Sequence, residues 1–190
     1  MVRALLDGRK MMTRRILKTV DPDEYPFCGS WQEDGGKCSV SFYDEDHSAR
    51  FDAAIYQPGM VLYVREKHSL LESSITGRAP QVWYWADGSI KEGDYTRPRP
   101  SIHMPRWASR LTLKVNDVKV ERLKDISEED AKAEGVRPKL PDWPGTPFRL
   151  AFRDLWNNIN GPDAWDRSDW VVAISFDVIR QNVDEYLKTL

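Results

Sequence analysis

Apolar positions change their spacing several times along the chain, and each change marks an element. Residues 1–8 read as a short helix stopped by Gly8. Residues 8–15 then read as a loop entering a strand near Ile16 and Leu17. After the turn Gln57-Pro58-Gly59, residues 60–66 alternate. Leu62, Val64 and Glu66 share one face, and Val61, Tyr63 and Arg65 the other. Residues 82–86 form a further strand, with Asp87-Gly88 as a hairpin turn into Ser89-Ile90. Leu111, Leu113 and Val115 alternate, Asn116-Asp117 breaks the register, and Val118 and Val120 resume it. That pattern fits a bulged strand or a tight hairpin.

Two helices are expected next. Ser127 caps a short one that Gly135 ends. After the proline-rich loop 138–147, Thr146 and Pro147 open a longer one with Phe148, Phe152, Leu155 and Ile159 as its stripe. Trp170, Val172, Ile174, Phe176 and Val178 alternate over a last strand whose opposite face also carries apolar residues, so both faces are buried. Short strands and frequent turns favour an α+β, mainly β fold, a small antiparallel β-barrel with short helices at its ends. No Gly-rich loop joins a strand to a helix, which excludes P-loop and Rossmann nucleotide sites.

The length of 190 residues fits one domain spanning 1–190, and 41% hydrophobic residues suffice for a core. Residues 19–54 stand apart as an acidic insertion, a hairpin or long excursion outside the core. Asp21 to Asp52 hold nine acidic against two basic side chains. Cys28 and Cys38 are expected as free thiols, with no metal and no cofactor. No apolar run is long enough for a membrane span and the start lacks a signal-peptide core, so a soluble cytoplasmic protein is expected.

The net charge of -2 hides two basic segments. Residues 1–18 hold Arg3, Arg9, Lys10, Arg14, Arg15 and Lys18 against Asp7. Residues 97–114 hold Arg97, Arg99, Arg106, Arg110 and Lys114 against no acid, with His103 and Trp107 among them. Arginines interleaved with aromatics suit phosphate and base contacts. The same charges also suit a solvated face that balances the acidic insertion. The eight tryptophans serve packing in the main, with base stacking open to some of them.

Several blocks together resemble a known family. Gly8-Arg9-Lys10-Met11-Met12-Thr13-Arg14 resembles the G-x-K-x-x-T-x-R type signature of ASCH domains, in the PUA-like superfamily. Val61-Leu62-Tyr63-Val64-Arg65-Glu66 after Pro58-Gly59 is similar to that family's second block. Pro100 to Arg110, Asp125 to Ala131 with Glu134-Gly135, and Leu155-Trp156 with Ile159-Asn160-Gly161 resemble blocks of a phage and prophage branch. The resemblance covers most of the chain outside 19–54. Members of that branch carry a strand before the first helix, whereas this sequence begins inside it. The expectation is an edge strand that lies upstream or is lacking, with its neighbour left unpaired.

The resemblance implies a small barrel whose cleft takes RNA, DNA or a modified nucleoside, in the bacterial host of a phage. It further implies an amidohydrolase that removes the acyl group of an N4-acetylcytidine-type nucleoside. Lys10, Thr13 and Glu66 match the family's catalytic lysine, threonine and glutamate. A neutral lysine can take the threonine proton, and a glutamate can pass it to the leaving amine. Arg9, Arg14, Arg65, His103, Arg106, Trp107 and Arg110 are the candidate nucleic-acid or nucleoside contacts. The structural alternative makes Lys10 and Arg14 phosphate contacts without catalysis, Thr13 a turn cap, and Glu66 an ion partner of Arg65, Arg14 or Arg110. The alternative function is a non-enzymatic phage accessory module that binds a protein partner.

Overall fold

Two long alternating strands lie side by side at the centre of the main sheet. The computed structural model describes residues 1–34, 37–47, 50–71, 81–90, 93–138 and 144–190, with the side chains of 30–38 and 50–55 outside that description. In chain order the elements are α1 (Val2–Leu6), β1 (Met12–Ile16), β2 (Phe27–Asp34), β3 (Lys37–Tyr43), β4 (Arg50–Ile55) and β5 (Val61–Tyr63). Then come β6 (His68–Leu70), β7 (Val82–Tyr84), β8 (Thr112–Arg122), α2 (Glu128–Ala133), α3 (Pro147–Asn160), α4 (Ala164–Arg167), β9 (Trp170–Ile179) and α5 (Val183–Leu187).

The main sheet has the order β1-β9-β8-β5 with every pair antiparallel. It is curled into a half-barrel, in a mixed α+β fold built mainly of strands. β8 is the bulged strand: pairing skips between Val115 and Asp117, so Asn116 is the extra residue. The bulge changes which positions point inward, which is how both Val115 and Val118 enter one cluster with Leu111, Leu113, Val172, Ile174 and Phe176. Leu5 of α1 covers that face. On the other face Val171 packs under Leu123, Ile126, Ala131, Phe152 and Trp156. Burial of β9 on both faces follows from this arrangement.

Several expectations need correction. The first strand starts at Met12, earlier than the region of Ile16, so Thr13 and Arg14 are strand residues rather than loop residues. Residues 85–87 form one turn of 3-10 helix, and Asp87-Gly88 turns no hairpin, because β7 pairs back onto β6 instead. Residues 19–54 contain antiparallel hairpins, one of the two forms expected, but the segment does not lie outside the core. β2, β3 and β4 form their own antiparallel sheet, and Val40 and Phe42 pack with Val20 against Trp170 of β9. The Phe42 and Trp170 rings meet edge-on at 5.3 Å. Thr146 makes no capping bond to α3. Glu128 does so from α2, accepting from the main-chain N–H of Phe148 at 2.6 Å and of Arg149 at 2.9 Å. The buried stripe of α3 is Phe152 and Trp156, while Leu155 and Ile159 are 41% and 68% exposed. Ser127 caps α2 as expected.

Residues 139–143 of the proline-rich loop, and the Cys38 side chain, lie outside the described residues. Cys28 is a free thiol whose pKa burial pushes up. No helix among the described residues is long and apolar enough to cross a membrane.

Candidate functional site

Arg14 is the residue around which this region is built. It lies on β1 opposite Ala173 of β9, which in turn lies opposite Lys119 of β8. The small alanine leaves room for the guanidinium to pass over β9. It donates to Glu121 Oε1 through Nε at 3.0 Å and Nη2 at 2.7 Å. Nη2 also reaches Asp130 Oδ2 at 2.7 Å, and Nη1 reaches Glu134 Oε1 at 3.3 Å. The Arg14 side chain is fully buried. Lys119 adds a second cation at 2.5 Å from Glu121 Oε2. A buried arginine is tolerable only when its donors are met in this way.

Lys10 joins the same cluster from the loop before β1. Its Nζ donates to Glu134 Oε2 at 2.6 Å and to the Glu134 main-chain oxygen at 3.0 Å. The next residue, Gly135, has φ +82°, and a Cβ there would lie 2.8 Å from Lys10 Cβ. Arg9 ties the loop down from outside, donating to Gly135 O at 2.6 Å and to Asp7.

A cleft of about 320 Å³ runs along β1. Lys10, Thr13, Arg14, Arg15 and Lys18 line it from the β1 side, and Phe152, Leu155, Trp156 and Ile159 from α3. Met1 and Ala4 add the α1 wall, and Glu134 lines it beside Lys10. Thr13 stands in register with Ile174, on the face of β1 opposite to Arg14. Phe176 N–H bonds to Met11 O, and Leu17 N–H to Trp170 O. Antiparallel alternation therefore turns the main-chain groups of Met12, Arg14 and Ile16 away from β9. β1 pairs with β9 alone among the described residues, so that edge is open.

The chain matches no protein-family model, no curated protein and no solved structure.

The expected site residues therefore separate into groups. Lys10 and Thr13 both line the cleft, and Glu66 does not. Glu66 follows β5, at the far edge of the sheet from β1. Its Oε1 accepts from Arg110 Nε at 2.9 Å and its Oε2 from Arg110 Nη2 at 3.0 Å. Arg110 also grips Asp87 at 2.6 and 2.8 Å and stacks on Tyr84 at 4.0 Å. Burial works against the Arg110 charge, but the hydrogen bonds to Asp87 and Glu66 outweigh it and hold its pKa above the ordinary value. The ion-partner alternative for Glu66 is thus the contact present, with Arg110 as the partner. Arg14 and Arg110, expected as ligand contacts, have their guanidinium groups committed to carboxylates.

Arg65, His103, Arg106 and Trp107 are all exposed, near the β5 edge. Arg65 and Arg106 flank the Tyr63 ring at 5.5 and 5.7 Å. Arg106 also bonds Asp184 at 2.7 Å, and Arg65 bonds Ile102 O at 3.2 Å. His68 is fully buried and does not line the cleft. Glu121, Asp130 and Glu134 were missed as partners of the basic segment. The only signal for them was the clustering of acids around the Ser127 cap, which reads equally well as helix-dipole compensation.

Proposed function

We propose that the chain is an ASCH-type, PUA-like protein whose cleft along β1 receives a modified nucleoside, free or within RNA, and hydrolyses an N4-acyl cytidine amide. The observation that carries this reading is the Lys10 amine, buried beside a carboxylate in a residue that lines the same cleft as Thr13. Phe152 and Trp156 offer aromatic and apolar wall for a base, and Arg15 and Lys18 offer exposed cations for a phosphate. In the reaction Lys10 takes the Thr13 proton and the threonine oxygen attacks the acyl carbon. Incubation of the full chain with N4-acetylcytidine tests this. Cytidine and acetate are expected, with Lys10→Ala reducing turnover by about 100-fold or more. Unchanged turnover in that variant rejects the assigned chemistry. RNA binding through the same cleft weakens steeply with added salt.

A second reading, a module that binds a protein partner, has one specific observation in its favour. The open edge of β1, beside the exposed Leu155 and Ile159, is the form of groove into which an extended peptide adds as a strand. Competition separates the two readings: a nucleoside ligand perturbs Lys10 without changing the amide exchange of Met12, Arg14 and Ile16, whereas an added strand protects those amides.

A further inference from the structure

We infer that the segment 99–107, beside the β5 edge, forms a second surface that binds single-stranded nucleic acid: Arg65 and Arg106 grip its phosphates and Trp107 stacks on a base. This surface is separate from the β1 cleft and does not rest on the hydrolase reading. β1 and β5 are the two outer strands of the main sheet, so the two places lie at opposite margins of it.

The first observation is how the segment is held. Pro100 and Pro105 each precede a single turn of 3-10 helix, Ser101–His103 and Arg106–Ala108. Proline fixes the backbone just ahead of each turn. Met104 and Ala108 plug the segment into the protein at 3% and 2% exposure. Met104 Sδ accepts from the Glu66 main-chain N–H at 3.1 Å. The Asn182 side-chain amide faces the carbonyl oxygens of Arg106, Trp107 and Ser109 at 3.0, 3.2 and 2.8 Å. The backbone is pinned from below, yet Ile102 and Trp107 stay 68% and 50% exposed. An indole shown to water on a pinned backbone is ready to be covered by a ligand with little further ordering.

The second observation is charge. Main-chain bonds of 3.2 and 2.8 Å join His68 and Arg99 in both directions, which sets the cationic run 97–99 beside the cationic run 65–67. Arg65, Lys67, Arg97, Arg99 and Arg106 are all exposed. Among the described residues one carboxylate bonds any of the five: Asp184, at 2.7 Å from Arg106 Nε. Those two side chains are 47% and 51% exposed, so water screens the pair.

The third observation is geometry. Arg65 and Arg106 flank the Tyr63 ring at 5.5 and 5.7 Å, so one ring holds two guanidinium groups. Arg65 Nη1 is fixed further by donating to Ile102 O at 3.2 Å. A guanidinium fork matches the oxygens of a phosphate. Trp107 follows Arg106 directly, which puts an open ring next to the phosphate grip. A single strand supplies both partners, phosphates along its backbone and a π-face on every base. A duplex keeps its bases stacked, and an acidic peptide matches the cations without matching the indole.

The test is fluorescence anisotropy of the full chain with fluorescein-labelled oligouridylate and oligothymidylate of about 15 nucleotides, at salt from about 50 to about 200 mM. Trp107→Ala is expected to weaken binding by about 10-fold and Trp107→Phe by less. The double variant Arg65→Ala, Arg106→Ala is expected to lower the slope of log affinity against log salt by about 1.4, two phosphates at about 0.7 each. A labelled duplex is expected to bind about 10-fold more weakly than either strand. Preference for oligouridylate assigns RNA and equal binding assigns any single strand, and both support the surface. Ultraviolet crosslinking followed by mass spectrometry is expected to mark the peptide that carries Trp107, and thermal melts confirm that the variants fold. Absence of binding to both strands overturns the inference. Unchanged affinity in Trp107→Ala overturns it too, as does polyglutamate displacing the probe as readily as an unlabelled strand, which marks an acidic protein as the partner. Crosslinks confined to residues 10–18 and 152–160 place the strand in the β1 cleft and also overturn it. A chain that leaves N4-acetylcytidine intact does not disturb this test, which reads binding alone.

Discussion

Two arginine-centred ion clusters sit at opposite edges of the main sheet, and they differ in what they leave available. Around Arg14 three carboxylates, Glu121, Asp130 and Glu134, face three cations, Arg14, Lys10 and Lys119. Two of those cations, Lys10 and Arg14, line an open cleft together with Glu134. Around Arg110 two carboxylates close on one guanidinium, which Tyr84 covers. Nothing there is left to act on a ligand. A buried ion cluster therefore signals chemistry only when one member also meets open volume.

The sharpest way to break this contrast is to remove the arginine on the β1 side. Arg14→Met removes the Arg14 partner of Asp130 and leaves the deeply buried Glu121 and Glu134 with one cation each, Lys119 and Lys10, and should cost about 3–5 kcal/mol in chemical denaturation. A loss below about 1 kcal/mol would mean the cluster contributes little to the fold. Gly135→Ala comes next, at about 2 kcal/mol, because it adds both a strained φ and a clash with Lys10. Gly161→Ala is the control: its φ is +110° but the space around it is open, so about 1 kcal/mol is expected. Equal losses would show that Lys10 does not depend on the Gly135 contact.

On the far edge, Arg110→Lys loses the fork that holds Glu66 and Asp87 together, for about 1–2 kcal/mol. The loss is smaller than at Arg14 because Arg110 and Asp87 are partly exposed and screened. The smallest effect is one of pH. Burial raises the Tyr84 pKa above its ordinary 10, against the opposing pull of Arg110. Its contribution to stability is complete below pH 10 and is lost as the pH climbs through the higher folded value. Tyr84→Phe should flatten that alkaline decline in a pH series of thermal melts.

Much of the frame was legible from alternation and turn residues. β9, the β8 bulge and the cap of α2 all follow from local pattern, because each depends on neighbours within a few positions. What escaped depends on pairing across the chain. Lys10 meets Glu134 over 124 positions and Arg14 meets Glu121 over 107, contacts that no local spacing encodes. The cap of α3 escaped for the same reason, since Glu128 fills the role that local sequence assigns to Thr146. Lys10 and Thr13 were singled out by motif and do share a cleft, whereas Glu66 shares the motif logic without sharing the place.

The uncovered margin of β1 also bears on how the molecule behaves among its own copies. A strand with idle amide groups invites a second molecule to extend the sheet. In a two-fold meeting centred on Arg14, each arginine would face its twin, and Thr13 would face the exposed Arg15. The exposed Arg15 and Lys18 along that seam leave it receptive to anything negatively charged.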